Sequence, residues 1–176
     1  MFKDILLKLF GRFFPKEEAV SPYRVNFKSY YNAGFRAVFF DIDNTLVPYD
    51  APADDKAKEL FKELREMGFK TCLISNNNKK RTATFAKDVD SSFTYKSKKP
   101  APDAFIRAAG HLGVRVNQVL FFGDQLFTDI WGANNAGMYP ILVERIGEDV
   151  LLQIKLKRYL EKPVYAAYEY VKKNKW

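Results

Sequence analysis

The sequence predicts an α/β protein: a parallel, Rossmann-like sheet with helices on both faces. Three observations carry this. From Phe35 onward, short apolar runs alternate with amphipathic stretches, the pattern of repeated strand–helix–strand units. Val38-Phe39-Phe40 is apolar without interruption and reads as a buried strand. Gly68, Gly113 and Gly137 each follow an amphipathic stretch, where a left-handed residue closes a helix.

Before that alternation, residues 1–14 have their own logic. Phe2, Ile5, Leu6, Leu9 and Phe13 recur at helical spacing, with Asp4, Lys8 and Arg12 opposite, and Pro15 stops the run. Two readings stand: a helix packed on its own domain, or one lying flat in an anionic membrane interface. Residues 20–34, with Pro22 and several tyrosines, look like a connector. Strands are expected at 37–40, 70–74, 119–122 and 141–143, with a weaker one at 92–95. Helices are expected at 54–66, 80–87, 102–112 and 129–136. From Asp149 the chain is basic and aromatic and breaks at Pro163; it reads as a helix against the body or a surface for lipid or RNA. The parts expected are therefore 1–34 (helix and connector), 35–148 (core) and 149–176 (basic helical extension).

Composition removes several classes of chemistry. The chain has 176 residues, 47% of them hydrophobic, enough for one domain with a substantial core. The single cysteine, Cys72, lies inside an apolar run and excludes an internal disulfide framework. A Cys-based phosphatase is excluded too, because Asn78 stands where its arginine belongs. His111, the one histidine, sits near an expected helix end and suits a cap better than catalysis. A net charge of +8 points to an anionic partner. Lys8 and Arg12 interrupt the first apolar stretch, so neither a membrane span nor a secretory signal is expected. A cytoplasmic location follows, with peripheral contact at the inner face of the plasma membrane through residues 2–14 left open.

The chemistry gathers at strand ends, where parallel sheets bind ligands. Asp41 and Asp43 follow Val38-Phe39-Phe40 two residues apart and point the same way in an extended segment. Two carboxylates that close repel unless a cation or shared proton intervenes, and a hard divalent ion with oxygen ligands is the simple solution. One carboxylate is then free to attack an electrophile and the other to move a proton; an Asx turn capped by Thr45 is the plain alternative. Ser75-Asn76-Asn77 follows the second strand and suits a phosphate oxygen or an ordinary turn. Lys98-Lys99-Pro100 places a cation before a proline, and Gly123-Asp124 adds a third carboxylate, with Asp129 behind it.

The order Asp41-Ile42-Asp43-Asn44-Thr45-Leu46, Ser75, Lys99-Pro100 and Gly123-Asp124-x₄-Asp129 resembles the haloacid dehalogenase phosphatase superfamily. Its variants are most similar to the YqeG-like, type IIIA branch, to which mitochondrial phosphatidylglycerophosphate phosphatases are related. The resemblance implies Asp41 as the nucleophile that forms an aspartyl-phosphate and Asp43 as the acid and base. It implies Mg²⁺ held by Asp41, Asp124 and the backbone carbonyl of Asp43, with Asp129 supporting the metal shell. Thr45, Ser75, Asn76 and Lys99 would hold phosphoryl oxygens; Lys98 is the competing lysine.

The spacings from Asp41 to Ser75 and from Ser75 to Lys99 leave no room for a large cap domain. An open site suits a head group presented by a membrane, and with the positive charge this favours an anionic phospholipid such as phosphatidylglycerophosphate. Two alternatives remain. One is a phosphatase of a soluble or nucleic-acid ester. The other is an RNA-binding protein using Lys155, Lys157, Arg158, Lys172, Lys173 and Lys175.

Overall fold

The computed structural model describes residues 1–174; Lys175, part of the basic tail considered above, lies outside them. Six parallel strands form one sheet in the order β1-β6-β5-β2-β3-β4. They are β1 (Glu17–Ala19), β2 (Ala37–Phe40), β3 (Lys70–Ile74), β4 (Ser92–Thr94), β5 (Val119–Gly123) and β6 (Tyr139–Val143). The helices are α1 (Phe2–Phe10), α2 (Phe27–Asn32), α3 (Asp55–Glu66), α4 (Lys79–Val89), α5 (Asp103–His111), α6 (Trp131–Ala136) and α7 (Leu152–Lys173).

Strand alternation sorts the core into two layers. Val38 and Phe40 of β2 face one layer with Phe61 and Leu64 of α3 and Phe85 of α4. Ala37 and Phe39 face the other, with Phe105 of α5 and Ala133 of α6. Every residue of β2 and β5 is buried, which explains why their runs lack the alternation of a half-exposed strand. From β2 the chain moves outward through β3 and β4, then returns to β5 on the opposite side of β2. The junction of β2 and β5 is therefore the switch point, and a crevice opens above their carboxyl ends.

Three features depart from the sequence expectation. Glu17–Ala19 is a strand, paired with β6 in the register Glu17↔Ile141 to Ala19↔Val143. Its Glu-Glu-Ala sequence carries no apolar run because it lies on the sheet edge, so pairing alone defines it. The connector after it contains α2, started by Asn26, whose side chain accepts the Ser29 N–H. The expected break at Pro163 does not occur: α7 continues through it. Pro163 is exposed, so the carbonyl it leaves unbonded faces water. Beyond it, Val164, Ala167, Tyr168 and Val171 pack against Phe14, Leu126 and Ile130 and hold the helix together.

That third cluster also contains Leu6, Phe10 and Phe13, so the N-terminal segment packs on the body through part of its apolar set. Phe2, Ile5, Leu7 and Leu9 remain exposed. No described helix is long and apolar enough to cross a membrane.

Candidate active site

Asp41 is the first residue beyond β2, and its N–H donates to the Phe122 carbonyl of β5 at 2.9 Å. That bond extends the ladder and sets Asp41 beside the end of β5, one residue before Gly123-Asp124. A π-helical turn, Leu126–Ile130, then replaces the expected first turn of the helix and folds Asp129 back over Gly123. The approach is so close that a Cβ on Gly123 would lie 2.4 Å from Asp129 Cβ; only glycine fits. Carboxylate oxygens of Asp41, Asp124 and Asp129 all lie within 4.8 Å of one another, and all three residues are buried. Asp129 thus joins the cluster rather than standing behind it.

Lys99 bridges two members. Its Nζ donates to Asp41 Oδ1 at 2.5 Å and to Asp129 Oδ1 at 2.6 Å, while Lys98 is exposed. Geometry therefore separates the two lysines. Asn76 accounts for Lys99's position: its Oδ1 accepts the Lys99 N–H at 2.9 Å and its Nδ2 donates to the Lys99 carbonyl at 3.5 Å. Both amide groups of Asn76 are spent on that lysine, where the sequence suggested a phosphate contact. Ser75 is buried at the end of β3 and accepts the Asn77 N–H at 3.1 Å. Helix α4 starts only at Lys79, capped by Asn78. Thr45 is fully buried, its Oγ1 donating to Asp124 Oδ1 at 3.5 Å.

Asp43 lines the same cleft as Asp41 but is not part of the carboxylate cluster. Its carboxylate accepts from Asn77 Nδ2 at 2.5 Å, Arg81 at 2.9 Å and the Asp50 N–H at 3.0 Å. Its carboxylate is thus held by three donors, and the resemblance assigns the ion the Asp43 backbone carbonyl rather than this side chain. His111 ends α5 and is exposed, and it is not among the residues lining the cleft.

One participant was invisible in the sequence as a site residue. Arg158 of α7 donates to both the carboxylate and the main-chain carbonyl of Asp124. It also meets Asp149 Oδ2 at 3.1 Å and Glu161 Oε2 at 3.4 Å. Glu161 in turn accepts the Phe127 N–H at 2.9 Å, tying α7 to the π-helical turn. Thirty-four residues separate Arg158 from Asp124, and nothing local distinguishes it from the other basic residues of the tail. Leu151, Gln153, Ile154 and Lys157 line the same cleft as Asp41, Asp43, Ser75 and Lys99, with a volume of about 280 Å³. The site is thus bordered by the C-terminal helix, where the sequence suggested an open edge.

Charge and burial pull against each other here. Burial raises the Asp41 carboxyl well above the usual range; the charges of Asp129 and Asp124 add to this and Lys99 opposes it. Burial likewise pushes Asp124 up to about 7, opposed chiefly by Arg158 and increased by Asp129. Burial alone would lower Lys99, but Asp129 and Asp41 outweigh it and raise it. Three buried carboxylates therefore face the buried Lys99 and the half-buried Arg158, and burial together with the carboxylates' mutual repulsion raises Asp41 and Asp124. An all-oxygen donor set with surplus negative charge fits a hard divalent cation such as Mg²⁺.

These features define a hydrolase of the haloacid dehalogenase type, and the comparisons agree: the chain belongs to the haloacid dehalogenase-like hydrolase family, whose family model matches residues 49–137. It is similar to "Probable phosphatase YqeG" of Bacillus subtilis, with 31% identity over 92% of this chain and 94% of that one. It is also 33% identical to a glyceraldehyde 3-phosphate phosphatase of Methanopyrus kandleri over 58% of this chain and 47% of that protein. Among solved structures, the fold matches a phosphatase of this family from Thermococcus onnurineus (TM-score 0.51, 18% identity, 72% of this chain and 98% of that one). It also matches the cobalt-bound deoxy-D-mannose-octulosonate 8-phosphate phosphatase of Haemophilus influenzae (TM-score 0.52, 12% identity, 77% and 90%).

Proposed function

We propose that this haloacid dehalogenase-type phosphatase is a Mg²⁺-dependent phosphomonoesterase that works through an aspartyl-phosphate on Asp41. The observation that supports it most is the convergence of Asp41, Asp124, Asp129 and Lys99 in one buried cluster above the sheet's switch point. Asp41, Asp124 and the Asp43 carbonyl would hold the ion, which when bound would neutralise charge on the phosphoryl oxygens.

The residues themselves account for the rest. An oxygen of Asp41 attacks phosphorus, the P–O bond to the ester oxygen breaks, and Asp43 delivers a proton to the departing oxygen. Arg81, Asn77 and the Asp50 N–H hold the Asp43 carboxyl group in place; it starts this step protonated and ends it as the carboxylate that takes the proton of water. Water then attacks the phosphorus of the aspartyl-phosphate, returning its proton to Asp43 and releasing phosphate with Asp41 restored. Lys99 and Ser75, both lining the cleft, supply donors to the phosphoryl oxygens, Lys99 offsetting the repulsion between anionic nucleophile and anionic ester. Thr45 and Asn76 serve the site by holding Asp124 and Lys99.

The substrate proposed is the head group of an anionic phospholipid, phosphatidylglycerophosphate being the one the resemblance names, reached from the cytoplasmic side. The net charge of +8 and the exposed Phe2, Ile5 and Leu9 of α1 support a membrane-presented ester. A soluble phosphate ester is the second reading, favoured by the similarity to the Methanopyrus protein. The test is phosphate release from phosphatidylglycerophosphate vesicles and from a soluble ester, with Mg²⁺ or EDTA. Mg²⁺-dependent release from the lipid, reduced at least about 10³-fold in Asp41→Asn, is expected. Release from the soluble ester alone would remove the lipid; release that persists in Asp41→Asn would remove the nucleophile.

A further inference from the structure

The first half of α7 has two unlike sides. One borders the cleft through Gln153, Ile154 and Lys157. The other carries Leu152, Leu156, Tyr159 and Leu160, spaced i, i+4, i+7 and i+8, so that they form one stripe along the helix. They are 81%, 61%, 67% and 53% exposed, and Val150 just before the helix is 64% exposed. Helices of soluble domains turn such a stripe inward; here the buried residues of the helix are a separate set that begins at Glu161 and continues with Val164, Ala167, Tyr168 and Val171. Scattered exposed leucines are ordinary, but an aligned stripe is a docking face. The stripe continues to Tyr170, whose ring meets Phe2 of α1 edge-on at 5.3 Å, so it joins the exposed apolar residues of α1.

The charges beside the stripe identify what it meets. Beside the stripe the exposed charged side chains are Arg145, Lys155, Lys157 and Lys162, with Glu148 as the exposed acid among them, while Asp149 and Glu161 are buried, so the face is net positive. Lys162 Nζ lies 5.2 Å from the centre of the Tyr159 ring. Two copies of this face brought together about a two-fold axis would oppose lysine to lysine. An anionic lipid surface offers apolar depth for the leucines and opposite charge for the lysines.

We propose that the outer stripe of α7, with Leu152, Leu156, Tyr159 and Leu160 inserted and Lys155 and Lys162 at the headgroups, docks the protein on anionic membranes and so sets the cleft beside the surface. The same helical segment that touches lipid borders the site, so docking and access to a headgroup ester are one geometric event. The proposal rests on the phosphatase reading for the identity of the cleft, whereas membrane binding is read independently of turnover.

The test pairs Leu156→Glu with Tyr159→Glu in one chain and measures co-sedimentation with phosphatidylcholine vesicles, with and without phosphatidylglycerol. Turnover of a soluble phosphate ester and the oligomeric state are followed in parallel. The wild type should bind only the anionic vesicles. The double variant should bind them at least about tenfold more weakly, as expected for losing two inserted apolar side chains, with soluble turnover unchanged. Unaltered vesicle binding by the variant, or no binding by the wild type, would overturn the proposal. So would a wild type that self-associates and a variant that is monomeric, neither binding vesicles, which would assign the stripe to a second copy. Vesicle binding by a wild type that hydrolyses no ester would instead overturn the phosphatase reading and leave the docking face intact. A second variant, Lys155→Ala with Lys162→Ala, should weaken binding to anionic vesicles as salt does and keep soluble turnover.

Discussion

The floor and the border of the cleft are built in opposite ways. The floor consists of residues that directly follow buried strands: Asp41 and Asp43 after β2, Ser75 after β3, Asp124 after β5. The hydrogen-bond ladder places them, and flanking residues such as Phe40 and Phe122, stacked at 5.3 Å, fix the ladder. The border is one helix from the far end of the chain. It is held by Arg158 and Glu161 at the site, by the apolar cluster around Phe14 and Tyr168, and by Glu18 of β1, which accepts from Tyr165, Tyr168 and Lys172. Chemistry concentrates where the backbone is over-determined; contact with the surroundings is left to an element held by fewer, longer-range interactions.

That contrast can be broken at its strong end first. Phe121 of β5 is fully buried against Phe105, with ring centres 5.0 Å apart. Phe121→Ala should cost about 3–5 kcal/mol of stability, read as a drop in denaturant midpoint. A loss below ~1 kcal/mol would mean that the floor is not rigidly packed. The join between floor and border comes next. Arg158→Ala removes the cation that orients Asp124 and should reduce turnover by about 10- to 100-fold. Arg158→Lys, which keeps charge but not the forked geometry, should recover only part of it. Equal values for the alanine variant and wild type would make α7 a bystander.

The smallest effect lies at the distal anchor. Burial would raise the Glu18 carboxyl above its ordinary 4.5, but bonds from Lys172, Tyr165 and Tyr168 outweigh it and lower it. A lowered folded-state value means stability that is present above the ordinary value and lost as pH falls through the folded one. Glu18→Gln should therefore remove about 0.5 kcal/mol near neutrality, the worth of a screened surface pair. The difference from wild type should vanish at low pH, as melting curves across pH would show. A difference that persists in acid would refer the anchor to packing rather than charge.

How far local sequence could lead is visible in particular elements. β2 and β3 fall at the residues expected, because continuous burial leaves an apolar run that needs no partner to be recognised. The helix ends at Gly68, Gly113 and Gly137 follow the same way, with φ of 93°, 64° and 77°. The edge strand Glu17–Ala19 was not legible, since pairing with β6 leaves no mark on a Glu-Glu-Ala sequence. Pro163 misled for a related reason: a proline breaks a helix by default, and only packing around Val164 and Tyr168 reverses that.

For this protein, the sequence by itself determined the alternating architecture, the five acidic and hydroxyl residues that end its strands and turns, Asp41, Asp43, Ser75, Asp124 and Asp129, and a lysine pair before Pro100. Burial periodicity and strand-end chemistry are local properties, written within a few residues. Tertiary structure alone decided that Lys99 rather than Lys98 enters the cluster, that Asp129 joins it, and that Asn76 serves the lysine. It also decided that Arg158, thirty-four residues beyond Asp124, closes one side. Those outcomes depend on which distant segments share a volume once the core has packed, and no local pattern encodes that neighbourhood.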